Sequence, residues 1–207
     1  MPYSSFTLKT VEKTFQLQET VQNIFPTVKN LEISDWLQQT LEKGSCLPLK
    51  SEKARSEMII APILLEMMEK NQRALTIFSG ETLDVDADKG LNGECDFFIS
   101  KVPNAYTIQA PIFALVEAKQ NIVENNMGQC VAQMMGARIF NQSENQPIET
   151  IFGCVTNGDV WQFLKLENQT ILINAKKYFL DNLAQILGVL QAIIDFYSNL
   201  LTDAIPS

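Results

Sequence analysis

Histidine is absent from all 207 residues. Its absence removes hydrolases built on a histidine triad, histidine-dependent nucleases and almost all catalytic zinc sites. Any chemistry must therefore run on Asp, Glu, Lys, Tyr, Ser, Thr or Cys. Cysteine is scarce too. The four residues Cys46, Cys95, Cys130 and Cys154 lie too far apart for a paired-cysteine zinc spacing and read as reduced thiols that behave as small hydrophobes. No long apolar run occurs: the longest, Met58 to Leu65, stops at Glu66, well short of the ~18 residues that suggest a membrane span. The chain does not open on a basic stretch followed by an apolar core, so no secretory leader is expected. It is read as soluble and cytoplasmic. Positive charge is also short, because 16 Lys and Arg against 24 Asp and Glu leave a net charge of −8. Phosphate binding is normally led by Lys and Arg, so this balance argues against tight, sequence-blind DNA binding by the chain alone. A local basic rim and bound cations would have to override it near a site.

What is present suits one domain. With 46% hydrophobic residues, the chain is long enough for a substantial core. Residues 1–50 read as an N-terminal extension packed on that core, with a strand at Phe6–Val11 and a helix from Ser34, whose side chain caps it, to Gly44. Ser51 reads as the cap of a second helix running to about Lys70, in which Pro62 predicts a kink or break. Strands are expected at Leu75–Phe78, Thr82–Val85, Cys95–Lys101 and Ile112–Ala118, followed by a helix from Val123 to Phe140. Two further strands flank Asn157-Gly158, a dipeptide favoured in two-residue hairpins, and Ile171-Leu172-Ile173 adds a third. A final helix, Asp181 to Leu201, is apolar on most of its circumference, which implies burial by the domain or by a second copy in a homodimer. The order predicts an α/β (α+β) domain over 51–207, a central mixed β-sheet flanked by helices.

The candidate site is Glu117-Ala118-Lys119, which closes the apolar run Ile112-Phe113-Ala114-Leu115-Val116. An acid two residues before a lysine is no rarity, although this is the only acid-x-Lys in the chain. Its position carries the weight. On a strand, residues two apart share a face, so Glu117 and Lys119 project together at the end of a strand built for burial. Charges there are costly unless paired or bound to a cation. Asp96 lies in another apolar strand, at a separation that suits a hairpin, and would bring a second carboxylate to the same end. The following helix places Gln129 and Gln133 at i, i+4 on one face, and Glu57 on the preceding helix is within reach of the cluster. Two carboxylates suit a hard divalent cation, and a neighbouring lysine can steady an anion or orient a water.

In this order the residues resemble the PD-(D/E)xK nuclease superfamily, whose fold is restriction-endonuclease-like. The resemblance spans roughly 51–175: a helix with Glu57, a hairpin with Asp96, then Glu117-Ala118-Lys119, then a helix with Gln129. Val155-Thr156-Asn157-Gly158 with Trp161 is similar to the strand–turn–strand of nuclease domains in type I restriction subunits. Two positions depart from the family pattern: Cys95 stands where a proline precedes the aspartate, and Gln133 where one branch has a tyrosine. The resemblance implies DNA as partner and cleavage dependent on Mg2+ or Mn2+. It makes Asp96 and Glu117 the metal ligands and gives Lys119 the task of orienting or activating water, with Glu57 and Gln129 completing the site. The alternative is the same fold used as a catalytically inactive binding or assembly module, dimeric or with a protein partner. A calcium loop at Asp84-Val85-Asp86-Ala87-Asp88 is disfavoured, since Lys89 precedes Gly90 and Cys95 falls where a glutamate is needed; that segment reads as strand and turn.

Overall fold

The computed structural model describes residues 2–120 and 122–202, with the backbone alone described at 199–202. The last five residues of the expected 51–207 domain thus lie outside the described residues. The fold is α+β, with one mixed sheet between two layers of helices.

Eight strands make the sheet: β1 (Gln18–Gln22), β2 (Thr76–Thr82), β3 (Glu94–Ser100), β4 (Ile112–Ala118), β5 (Thr150–Thr156), β6 (Val160–Glu167), β7 (Thr170–Asn174) and β8 (Tyr178–Phe179). Their order is β1-β7-β6-β5-β4-β3-β2, and β8 pairs with β6. The β4–β5 and β1–β7 pairs are parallel and the others antiparallel. A parallel pair needs a crossover, and between β4 and β5 it is α5 (Met127–Ser143).

Local chemistry explains the remaining helices. In α1 (Leu8–Phe15), Thr7 accepts the Thr10 N–H and Thr10 reciprocates at the Thr7 N–H, a capping box that satisfies two otherwise orphaned donors. This overturns the strand expected at Phe6–Val11: the alternation of those residues is outweighed by the cap. Ser34 caps α2 (Asp35–Gly44), and Ser51 caps α3 (Glu52–Arg55), as their positions imply. From α3 the chain continues without a break through a π-helical stretch (Ser56–Ile60) into α4 (Ala61–Lys70). Pro62 therefore ends no helix. The wider π turn just ahead of it accommodates a residue that has no N–H to return and a ring that would crowd the preceding turn.

Two strand expectations also change. Of the expected Leu75–Phe78 and Thr82–Val85, the first falls in β2, which runs on through Gly80 at φ +68° to Thr82, so only Thr82 of the second is in a strand. The residues after β2 form a turn in which the Val85 and Asp86 N–H groups donate to the Leu91 carbonyl. Asp86 is tied there to Lys89 at 2.8 Å, and Asp84 accepts the Gly93 N–H, so these acids serve the turn. At the β5–β6 hairpin Thr156 faces Trp161 and the Asn157 N–H donates to the Val160 carbonyl. The central residues are thus Gly158-Asp159 rather than Asn157-Gly158. Gly158, at φ +88°, takes the left-handed position that side chains avoid, while the Asn157 side chain accepts from the Asp159 and Val160 N–H groups.

The first fifty residues are woven into the domain. β1 adds an edge to the sheet beside β7, and Val11 of α1 is buried in the same cluster as α5. One face of the sheet (Phe97, Phe113, Val116, Phe152, Trp161, Phe163) packs against α2, α4 and α6 (Leu183–Thr202). The other (Phe98, Leu115, Val155, Leu164) packs against α1 and α5. The apolar circumference of α6 is taken up by this chain: Ile186, Leu187, Val189, Leu190, Ile193 and Tyr197 are all buried within it. Among the described residues no helix is long and apolar enough to cross a membrane. Cys95, Cys130 and Cys154 are buried free thiols, and Cys46 is an exposed one.

Packing of α5 on β4 is fixed by a polar contact as well as apolar ones. Ile112 lies beyond the reach of the β5 ladder, which begins at Ala114. The fully buried Asn141 side chain accepts the Ile112 N–H at 2.8 Å and donates to its carbonyl at 2.7 Å. A buried backbone group left unpaired costs about 1–3 kcal/mol, so this amide anchors the start of β4, the strand that ends in the candidate site.

Candidate active site

Alternation along β4 turns Leu115 and Glu117 toward α5, and Glu117 is only 1% exposed. Its carboxylate is met from three sides. Gln129 and Gln133, one turn apart on α5, donate to Oε1 and to Oε2 respectively, the latter at 2.7 Å. Lys119 Nζ forms an ion pair with Oε1. Asp96, from the neighbouring β3, accepts the Ala118 N–H through Oδ2 at 2.8 Å, which sets its carboxylate beside the end of β4. Lys119 also reaches Glu52 Oε1 in the first turn of α3, at 3.6 Å.

Asp96, Glu117, Lys119 and Gln129 thus converge as the sequence implied. Glu57 is placed differently: it is exposed and pairs with Lys53 at 3.7 Å. It lines the same groove of about 490 Å³ as Glu52, Ser79, Glu94 and Asp96, but the helix acid that touches the cluster is Glu52. Five residues of helix, partly π-helical, turn Glu57 away from the direction of Glu52. Gln133, on one face with Gln129 as the i, i+4 spacing implies, is 1% exposed. The contact of Glu52 with Lys119 is one that the sequence pattern does not point to.

Electrostatics follow from burial. Loss of water pushes the Glu117 carboxyl up to about 7, and the charge of Asp96 adds to the rise; Lys119 and the Gln133 amide oppose it. Asp96 is raised as well, first by burial, against the Ala118 N–H and Lys119. For Lys119 burial works against the charge, but Glu117, Asp96 and Glu52 together outweigh it and hold its pKa above the ordinary lysine value. A buried and a half-buried carboxylate beside a single ammonium are short of positive charge, and both offer oxygen ligands. Such a set fits Mg2+ or Mn2+, which bind through one or two carboxylates and keep several waters. Among the described residues no group of three or more His, Cys, Asp or Glu side chains is arranged to hold a metal ion.

The elevated Glu117 has a consequence for stability. Its folded-state pKa lies above the unfolded one, so the favourable contribution is complete below about 4.5 and is lost as pH rises through about 7. Relative to Glu117→Gln, which stays neutral throughout, the metal-free wild type is expected to lose about 1–3 kcal/mol between pH 4.5 and 7.5. Urea denaturation of both proteins across that range checks it; a constant difference between them would show that Glu117 ionises normally.

Compared with family models and with curated proteins, the chain matches none.

Proposed function

We propose that the protein is a metal-dependent phosphodiesterase acting on DNA, built on a restriction-endonuclease-like core formed by α3–α4, β2–β4, α5 and β5–β6. The observation that carries this reading is the meeting of Asp96, Glu117 and Lys119 at the end of a buried hairpin, with Glu117 clamped by Gln129 and Gln133. Asp96 and Glu117 would hold the cation. When bound, Mg2+ or Mn2+ polarises the scissile phosphate and lowers the pKa of a bound water.

The chain's own residues do the rest. Without a cation, Lys119 is held in the ammonium form by its acidic neighbours. It donates, orienting the attacking water or steadying the phosphate oxygens, and this favours orientation over activation for that residue. Glu52, at 3.6 Å, offers Lys119 a second and more distant carboxylate. Ala118 supplies a backbone N–H that fixes the Asp96 carboxylate without a flexible partner. A second reading, a binding or assembly module of the same fold, is favoured by the net charge of −8.

Incubating the protein with plasmid and with single-stranded DNA in Mg2+ or Mn2+, beside Asp96→Ala, separates the two. Products from the wild type alone are expected. Equal products from both, or none from either, would leave the binding module as the better account.

A further inference from the structure

We infer that Gln133 is a positioning residue that sets which divalent cation the Asp96–Glu117 site accepts, by holding Glu117 so that it offers one oxygen rather than two. This rests on the metal-site reading above. Of the three donors on Glu117, Lys119 and Gln129 both contact Oε1, while Gln133 alone contacts Oε2. Gln133 is 1% exposed and sits in the middle of α5, whose neighbouring residues Ala132 and Met134 are fully buried, so its amide has no room to swing away. On Oε1 the donors free to give way are Lys119, 17% exposed and also within reach of Glu52, and Gln129, which is only half-buried in the first turn of α5. On the other side of the site, Asp96 has one oxygen committed to the Ala118 N–H of the neighbouring strand.

Each ligand thus has one oxygen tied to an N–H on a rigid element. Ca2+ takes six to eight oxygens in flexible geometry, often with both oxygens of a carboxylate, whereas Mg2+ is content with one or two carboxylates in an octahedron completed by water. Two ligands, each restrained to a single oxygen, suit the smaller ions. Polar partners that orient metal ligands are typically worth 10–100-fold in affinity. In this site that effect should fall unequally on different ions.

The test is Mn2+ binding to the metal-free protein, followed by electron paramagnetic resonance of the free ion, with Ca2+ as competitor. Gln133→Met keeps the length and the apolar packing but deletes the N–H. We expect it to weaken Mn2+ binding about tenfold or more while Ca2+ weakens less or tightens, so that the ratio of the two affinities moves at least about fivefold toward Ca2+. An unchanged ratio in a folded variant, whether both affinities hold or both fall equally, overturns the inference and leaves the metal site intact. Failure of the wild type to bind Mn2+ overturns both. Infrared difference spectra of the wild type give the second reading, which needs no variant to fold. The carboxylate stretches on adding Mg2+ or Mn2+ should carry the one-oxygen signature, and a two-oxygen signature would overturn the inference.

Discussion

Lys119→Ala is expected to abolish measurable Mg2+-dependent DNA cleavage, lowering the single-turnover rate by about 10²–10³-fold, the range lost when one preorganised donor to developing charge is removed. The size follows from the site's composition. Among the described residues Lys119 is the one cation in contact with Glu117, and without it two carboxylates and Glu52 meet an incoming phosphate with no ammonium beside them. Divalent-cation binding should survive the substitution, or tighten, because the ammonium competes with the cation for Glu117. This split distinguishes a role in the reaction from a role in holding the ion: Asp96→Ala should lose both. A Lys119→Ala protein that cleaves within threefold of the wild type would remove lysine from the mechanism.

Gly128→Ala is expected to have the largest effect on folding. Gly128 opens α5 against the start of α1, and a Cβ there would stand 2.1 Å from the Thr7 carbonyl carbon and 2.4 Å from the Leu8 nitrogen. Both are backbone atoms held by the Thr7–Thr10 capping box, so no side chain can turn aside. Overpacking a well-filled interior costs about 1–3 kcal/mol and more where backbone must move; a loss of at least about 3 kcal/mol is expected, read by urea denaturation at pH 7. The same shift reaches the site, because the next residue along is Gln129. Where Gly128→Ala still folds, its Mn2+ affinity should be lower than that of the wild type. A fully stable variant would mean that α1 is not seated on α5.

How far the sequence foretold this can be judged from individual residues. Ser34 and Ser51 were legible as caps because capping is decided within four residues. β4 and β5 were legible because strands covered on both faces read as short apolar runs. The convergence of Asp96 with Glu117 followed from hairpin spacing. What escaped depends on distant partners. Gln18–Gln22 is wholly exposed and carries no apolar alternation, so nothing local marks it as a strand; its ladder is supplied by β7, some 150 residues later. The shared face of Gln129 and Gln133 was legible from their i, i+4 spacing, but not the full burial of Gln133, since glutamine is mostly exposed and only the buried carboxylate opposite gives it a place inside. Glu57 and Glu52 differ by a helical phase that the π-helical stretch alters, and sequence periodicity assumes no such stretch. The apolar α6 left two possibilities open, and the sheet beneath it takes up that surface within the chain.

The central claim is that Asp96 and Glu117 together hold a divalent cation. Crystals grown with Mn2+ and measured at the manganese absorption edge test it most directly. An anomalous peak within coordinating distance of one oxygen from each carboxylate is the expected result, absent from crystals of Asp96→Ala. A peak lying elsewhere, or none at millimolar Mn2+ with Lys119 still paired to Glu117, would contradict it.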